Sequence, residues 1–520
     1  MTNILGIKFG GHDTAAALLV DGEVVAACAQ ERYPRDKHSR RFPKEAATDC
    51  LRINGIDINQ VDEIAFVNDL RTYIREIYLR PALQSNDRMD FLFNDIDRIL
   101  RAHNMDNIIR ENLNYTGKIN YYRHHLCHIA SSYYPSGFKD ALCLSIDGVG
   151  EFETGMLAAG YSGQIKILNR KNVYPNSFGL LYSAITDYLG WKHHCDEGIV
   201  MGLAPYGDPS AIIPGKDQSY LSVFEEILIE IGEFEYQVNN DFIDYYSKRD
   251  KWVNERFLQI FGPKRKPNGP ILDHHKNIAA ALQTRLEYVV LKQLKHARKK
   301  FGLNKLCLAG GVALNCSLNG KIAQSNLFDE IFVQPASGDD GCTIGACLLA
   351  YKSKKGSLLP KKLHDFNKGS RFSEKEINSA ITKSKLKFLK PKNIYKTIAQ
   401  HLNDGKIIGW FQDGAEFGPR ALGNRSILCC PYPATMKDYL NSRVKFREDF
   451  RPFAPAILVE RTEEFFDLPD AWKHYPARFM LLAVSVKENM RSKIPAVTHV
   501  DGTARVQTVW RDTNPRYYRL

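Results

Sequence analysis

The sequence lacks any apolar run approaching the length of a membrane span, so no transmembrane helix is expected. Its N-terminus, Met1-Thr2-Asn3-Ile4-Leu5-Gly6-Ile7, has no basic segment leading into a long apolar one, so no signal peptide is expected. The 11 cysteines form no Cys-x-x-Cys pair, and Cys28, Cys143 and Cys307 sit in apolar runs. Reduced, buried thiols in a cytoplasmic protein follow, rather than a disulfide framework. Gly-x-x-x-x-Gly-Lys-Ser/Thr is absent, which excludes a P-loop NTPase, and so is the metalloprotease pattern His-Glu-x-x-His. The net charge is +12, but lysine and arginine are spread in short runs such as Arg40-Arg41 and Lys299-Lys300. That reads as a solvated basic surface, and nucleic acid is not the expected partner.

The 520 residues suffice for two or three domains with proper cores. The first thirty read as strands at Ile4 to Phe9, Ala15 to Val20 and Glu23 to Ala29, broken by Gly10-Gly11-His12-Asp13 and turned at Asp21-Gly22. The pattern recurs from Ala141, with a strand to Ile146, the Asp147-Gly148 loop, a strand Met156 to Tyr161, a Ser162-Gly163 turn and a third strand from Gln164. Two copies suggest an internal duplication, with sheets facing across a cleft and glycine loops offering N–H groups to phosphate. A long helix is expected from Ile278 to Phe301 with Gly302 as its stop, then a strand at Leu306 to Ala309. Gly310-Gly311 follows that strand, either for close nucleotide approach or as a tight strand-to-helix turn. Residues 213–270 read as an insertion, and Tyr351 to Gly369 as a linker into a second α/β region.

The most informative stretch is Arg123-His124-His125-Leu126-Cys127-His128. On a helix, His124 and His128 project from one face about a turn apart, the geometry for gripping one metal ion. The plain alternative is a pair of surface or core histidines. Asp147 ends a strand, and Asp339 lies in the loop Ser337-Gly338-Asp339-Asp340-Gly341, where it either caps a helix or completes a two-His, two-carboxylate set. Such a set suits iron(II), manganese or zinc. A second constellation, Gly418-Pro419-Arg420-Ala421-Leu422-Gly423-Asn424-Arg425-Ser426 with Asn441, Lys445, Arg447, Arg451 and Arg505, embeds guanidinium groups among glycines and aromatics, as an anion site requires.

These motifs resemble the O-carbamoyltransferase family of nodulation-factor and antibiotic biosynthesis, of the NodU/CmcH type that includes tobramycin carbamoyltransferase. The resemblance spans essentially all of the chain. It is carried by Gly11 to Ala17, His124 to His128, Asp147 to Glu151, Met201 to Gly207, Gly310 to Asn315, Gly418 to Ser426, Arg451 to Pro455 and His499 to Arg505. It implies an α/β protein with a duplicated actin-like ATPase (ribonuclease-H-like) large domain at 1–355. A smaller YrdC-like α/β domain at 370–520 would follow.

The implied activity joins carbamoyl phosphate and magnesium-bound ATP as a carbamoyl-adenylate, then transfers the carbamoyl group to a hydroxyl of a sugar or secondary metabolite. Iron(II), or another divalent metal, would be held by His124, His128, Asp147 and Asp339. His12 would be the general base, the plain alternative for it being a loop residue bonded to its own turn. Lys37, Gly202, Gly207, Gly311 and Asn315 would hold the nucleotide. Arg420, Arg425, Lys445, Arg451 and Arg505 would hold carbamoyl phosphate. A homodimer is expected by the same likeness.

Two departures stand out. Ile199 occupies a position where the family usually has lysine. The sequence also stops at Tyr517-Tyr518-Arg519-Leu520, ahead of the Asn-Thr-Ser-Phe-Asn motif of relatives, so the small domain is expected to be truncated. Competing readings are a tRNA-modifying threonylcarbamoyl-type transferase, an actin-like sugar kinase, which gives no reason for the histidine pair, and a non-catalytic binding protein.

Overall fold

The computed structural model describes residues 1–84, 86–246 and 251–520. Its centre is a pair of five-stranded mixed sheets. The first uses β1 (Asn3–Lys8), β2 (Ala15–Val20), β3 (Glu23–Ala29), β4 (Glu63–Val67) and β5 (Lys118–Tyr122), in the order β3-β2-β1-β4-β5. The second uses β6 (Asp140–Ile146), β7 (Gly155–Tyr161), β8 (Gln164–Asn169), β9 (Lys305–Ala309) and β10 (Glu330–Val333), in the order β8-β7-β6-β9-β10. In each sheet the first three strands pair antiparallel, and the last two join parallel beside the first. Even the register shift recurs, at Leu18/Leu19 and at Leu157/Ala158. The expected duplication is therefore present strand for strand.

The helices repeat as well. α1 (Lys44–Ile53) links β3 to β4 and α3 (Asp273–Phe301) leads from β8 to β9, while α2 (His124–Ser136) follows β5 and α4 (Cys342–Lys355) follows β10. α3 buries Ile278, Leu282, Leu286, Val289, Val290, Leu294 and Ala297, one apolar stripe at helical spacing, and ends on the left-handed Gly302. α2 and α4 pack on each other, and each lies on the other half's sheet: α2 on β6, β7 and β9, α4 on β1, β2 and β4. Strands covered on both faces need no polar side, which is why β1, β6 and β7 read as nearly unbroken apolar runs. The crossing is close because Gly345 faces the Cys127 carbonyl, where any Cβ would collide with the oxygen.

Residues 213–270 are more integrated than the expected insertion. Helices Tyr220–Ile227 and Glu255–Phe261, a short hairpin and the turn after it carry Tyr220, Phe224, Tyr236, Phe242, Phe257 and Phe261 into the main core. Their period is unclean because they fill a core from several short elements; the part of this reading at 247–250 lies outside the described residues. The expected linker is helical as far as Lys355, and residues 356–369 have no helix or strand. That stretch is nevertheless pinned: Lys361 and Leu363 N–H groups donate to Tyr134 and Pro135 carbonyls at 2.9 Å each, and Phe366 is buried.

Beyond it the chain is α/β, with three two-stranded ladders in place of one broad sheet. It packs back on both halves: Arg32 Nη2 donates to the Gly418 carbonyl at 2.9 Å, and Asn319 Nδ2 to the Leu481 carbonyl at 3.0 Å. Trp191 Nε1 likewise donates to Glu448 Oε1 at 2.7 Å. No helix among the described residues is long and apolar enough to cross a membrane.

Substituting Gly345→Ala should lower unfolding free energy by about 2 kcal/mol, because the overpacked methyl has only backbone to push against. Urea melts of the variant and the parent check this; equal midpoints would mean that the helices separate freely.

Candidate metal centre and anion cluster

His124 opens α2, and His128 lies one turn on. The helix is held at its start by a buried carboxylate: Glu151 Oε1 accepts from the His124 N–H at 2.9 Å and from the Asp69 N–H at 2.7 Å. Between the two ligands, His125 is fully buried, with Nδ1 2.8 Å from Ser145 Oγ and Nε2 2.9 Å from the Glu153 carbonyl. Burial and the neighbouring His124 and His128 hold it well below the usual imidazole range, so it is a neutral strut fixing the helix rotation.

The Nε2 atoms of His124 and His128 lie 3.0 Å apart, and each lies 3.0 Å from Asp147 Oδ2. Asp339 Oδ1 lies 3.5 Å from the first and 4.0 Å from the second. Donors bound at about 2.1 Å sit roughly 3.0 Å apart when adjacent and up to about 4.2 Å when opposite around one ion, so these four atoms fit a divalent metal. The tautomer fits too: His124 Nδ1 donates to Asn68 Oδ1 at 3.0 Å, which leaves the Nε2 lone pair facing inward. Asp147 is steadied through its other oxygen, which accepts from Gly148 and Gly311 N–H at 2.8 and 3.2 Å. Burial opposes ionisation of Asp147, but the two histidines hold its carboxyl well below the usual range. Burial likewise pulls His124 down, yet the Asp339 and Asp147 carboxylates raise it. His128 is lowered by burial and by His124. The set thus binds either a proton or a metal, and the two compete.

The other expected residues fall into groups. His12 lies in the loop after β1, its Nδ1 2.8 Å from Asp13 Oδ2, and Asp13 Oδ1 is 2.8 Å from His38 Nδ1. Burial lowers the His12 imidazole, but Asp13 and Asp339 raise it to about 9. Lys37 is exposed on the same segment. Gly202 is buried, with Pro452 the nearest neighbour of a built Cβ at 3.8 Å. Gly207 is required by packing, since a Cβ there would strike the Lys276 carbonyl at the start of α3. Asn315 is spoken for: its Oδ1 accepts from the Leu318 N–H at 2.9 Å, and its Nδ2 donates to Gln283 Oε1 at 2.8 Å.

Arg420, Arg447, Arg451 and Arg505 converge, and burial plus mutual repulsion hold the first three below the ordinary arginine range. The Nε atoms of Arg420 and Arg505 are buried without a hydrogen-bond partner. A guanidinium stays charged, so this cluster calls for an anion. Lys445 stands at its edge, lowered by burial and by Arg447 and Lys37. Arg425 is apart from this purpose: its terminal nitrogens donate to the Gln412, Asn424, Ser370 and Asp413 carbonyls, and it stacks 3.7 Å from the Phe411 ring centroid. It holds the loop, as does Glu416, whose Oε1 accepts from Leu422, Asn424 and Arg425 N–H.

Four contributors escaped sequence reasoning: Lys8, Asn68, Glu151 and Glu416. Lys8 ends the apolar run of β1 and pairs with Asp339 Oδ2 at 3.1 Å. A lone charge in such a run was the available signal. Asn68 carried none, and Glu151, although it closes the Asp147 to Glu151 motif, gave no sign of its role, because its partners are distant in sequence.

Residues 3–348 match the family model described as Carbamoyltransferase N-terminus, and residues 399–520 the one described as Carbamoyltransferase C-terminus. Nodulation protein NolNO of Sinorhizobium fredii is 38% identical over 521 residues, which cover 98% of this chain and 71% of that protein. Nodulation protein NolO of Bradyrhizobium diazoefficiens is 42% identical over 401 residues, covering 76% of this chain and 68% of its own length. An uncharacterised protein, sll1178 of Synechocystis, is 34% identical over 559 residues, covering 100% and 88% respectively.

Equilibrium dialysis with Mn(II) or anaerobic Fe(II) should show one ion per chain, with His128→Ala weakening uptake at least ~100-fold and Asn68→Ala roughly tenfold. Uptake should fall as pH drops, since protons claim the same nitrogens. Uptake unchanged in His128→Ala would mean that these four side chains share no ion.

Proposed function

The chain belongs to the carbamoyltransferase family, and we propose that it activates carbamoyl phosphate with ATP as a carbamoyl-adenylate and passes the carbamoyl group to a hydroxyl of a sugar or secondary metabolite. The observation that carries this reading is the guanidinium cluster abutting the large region, four cations with the Glu448 carboxylate 3.7 Å from Arg451. Pro452, next to Arg451, is the nearest neighbour of a Cβ built on Gly202, at 3.8 Å, and the Tyr206 hydroxyl donates to the Phe450 carbonyl, on the other side of Arg451, at 3.5 Å. An anion held there sits beside the duplicated sheets rather than on a remote surface.

A carbamoyl group is a poor electrophile, and adenylation gives it a good leaving group. In this proposal Arg420, Arg447, Arg451 and Arg505 bind the phosphate oxygens of the donor, with Lys445 at the rim. Water cleaves carbamoyl phosphate to carbamate and inorganic phosphate, the carbamate oxygen attacks the α-phosphorus of ATP, and pyrophosphate leaves. At the second centre, His124, His128, Asp147 and Asp339 would hold a divalent ion whose chemistry is charge stabilisation on the leaving adenylate oxygen. Lys37 adds positive charge on the same side. His12 takes the acceptor hydroxyl's proton on Nε2 while Asp13 holds its Nδ1, the His–Asp logic that orients an imidazole base. AMP departs as the carbamate ester forms.

The chain incubated with carbamoyl phosphate, ATP and a divalent metal should release pyrophosphate and yield carbamoyl-AMP. Arg451→Ala should lower that rate by roughly 100-fold or more. No adenylate, but transfer from supplied carbamoyl-AMP, would confine the chain to the second step, and neither activity would favour a binding protein.

The pH dependence tests His12. A base must be unprotonated, and its pKa is raised to about 9, so transfer should climb with pH through that titration. A metal on Asp339 offsets part of the rise and brings the limb lower. Asp13→Asn should shift the limb further toward acid pH and lower the plateau; a limb that stays put would remove His12 from the role.

A further inference from the structure

We propose that Lys8 is a positioning residue that keeps Asp339 a one-oxygen ligand and sets the charge of the metal centre in favour of an anion; this rests on the adenylate reading above. Lys8 is the last residue of β1, so it comes from the first half, whereas Asp147 and Asp339 come from the second. Its side chain is 4% exposed. The two oxygens of Asp339 are divided: Oδ1 faces the imidazole nitrogens at 3.5 and 4.0 Å, while Oδ2 is held by Lys8 Nζ at 3.1 Å. An oxygen occupied by an ammonium cannot turn to chelate the ion.

The charge consequence follows from the same contact. Two carboxylates and one ammonium leave the ligand set at one negative charge, and a dication turns the centre to one positive charge. Without Lys8 the loaded centre is neutral. The ammonium also lies under the glycine loop, 3.5 Å from where a Gly11 Cβ would stand, on the side where a phosphate would meet the loop's N–H groups. Lys8 therefore weakens the hold on metal and strengthens the hold on an anionic nucleotide. A strut that only packed the site would weaken both when removed.

Opposite signs make the test. Mn(II) affinity is read from the free-ion EPR signal, and AMP affinity to the Mn(II)-loaded full chain by calorimetry. Lys8→Met and Lys8→Gln should bind Mn(II) roughly tenfold more tightly and AMP roughly tenfold more weakly. Lys8→Arg should match the parent in both. The metal-induced rise in melting temperature should be larger in Lys8→Met, because its apo form holds Asp147 and Asp339 close together with no ammonium beside them. Joint loss of Mn(II) and AMP binding, or no change in either, overturns the proposal. A parent chain that takes up no Mn(II) ends both this proposal and the metal reading. A parent that binds Mn(II) but not AMP defeats the adenylate reading, and the Mn(II) comparison alone then decides the role of Lys8.

Discussion

The structure depends on the crossing of α2 and α4. Two glycines make it possible: Gly345 lets α4 meet the backbone of α2 at Cys127, and Gly6 lets the start of α4 settle on β1 at Thr343. Each helix thereby leaves the half it belongs to and covers the sheet of the other. That exchange carries the first turn of α2 to the place where β6 ends and the loop from β10 into α4 begins. Two imidazoles from one half then lie over two carboxylates from the other. His125 and Glu151 keep α2 from rotating or sliding along its axis, one through side-chain bonds into the second sheet and one through the helix start.

Charge is the second organising term. Buried ions are costly unless they are paired, and three carboxylates at the centre have partners. Asp147 has two histidines and two backbone N–H groups, Asp339 has Lys8, and Glu151 has the N–H groups of Asp69 and His124. The cluster contributed by the C-terminal region is the reverse case. Arg420, Arg447, Arg451 and Arg505 repel one another, and the nearest counter-charge is Glu448, 3.7 Å from Arg451. One centre is short of a cation and the other of an anion. A substrate that carries phosphate and meets a metal satisfies both demands.

Duplication supplied the frame, and divergence of equivalent positions supplied the chemistry. β1 ends in Lys8, whereas the equivalent strand β6 is followed by Asp147. α2 opens with His124 and His128, whereas α4 opens with Cys342, a buried thiol pushed well above its usual range by burial. Neither half holds a complete centre. The site exists because corresponding elements of the two halves carry different residues.

Much of this was legible beforehand. Strand–loop–strand–turn–strand recurs in the apolar pattern, so the duplication and the long helix ending at Gly302 were readable, and the His124/His128 pair needed only helical spacing. The roles of Asn315, Gly207 and Arg425 were not readable. An amide at a helix start, a bare glycine and a guanidinium look the same in sequence whether they serve a ligand or a fold, and here Gln283, the Lys276 carbonyl and four loop carbonyls occupy them.

The amino-acid order alone determined which segments become strands and helices, because periodicity, glycine stops and polar breaks act over a few residues. Which carboxylate meets which imidazole, that Lys8 divides the oxygens of Asp339, and that four arginines converge with Glu448 at their edge were decided only when the halves closed on each other. Coulomb and hydrogen-bond energies depend on distance in space, and nothing in the spacing along a chain encodes a 3 Å contact between residues more than three hundred positions apart.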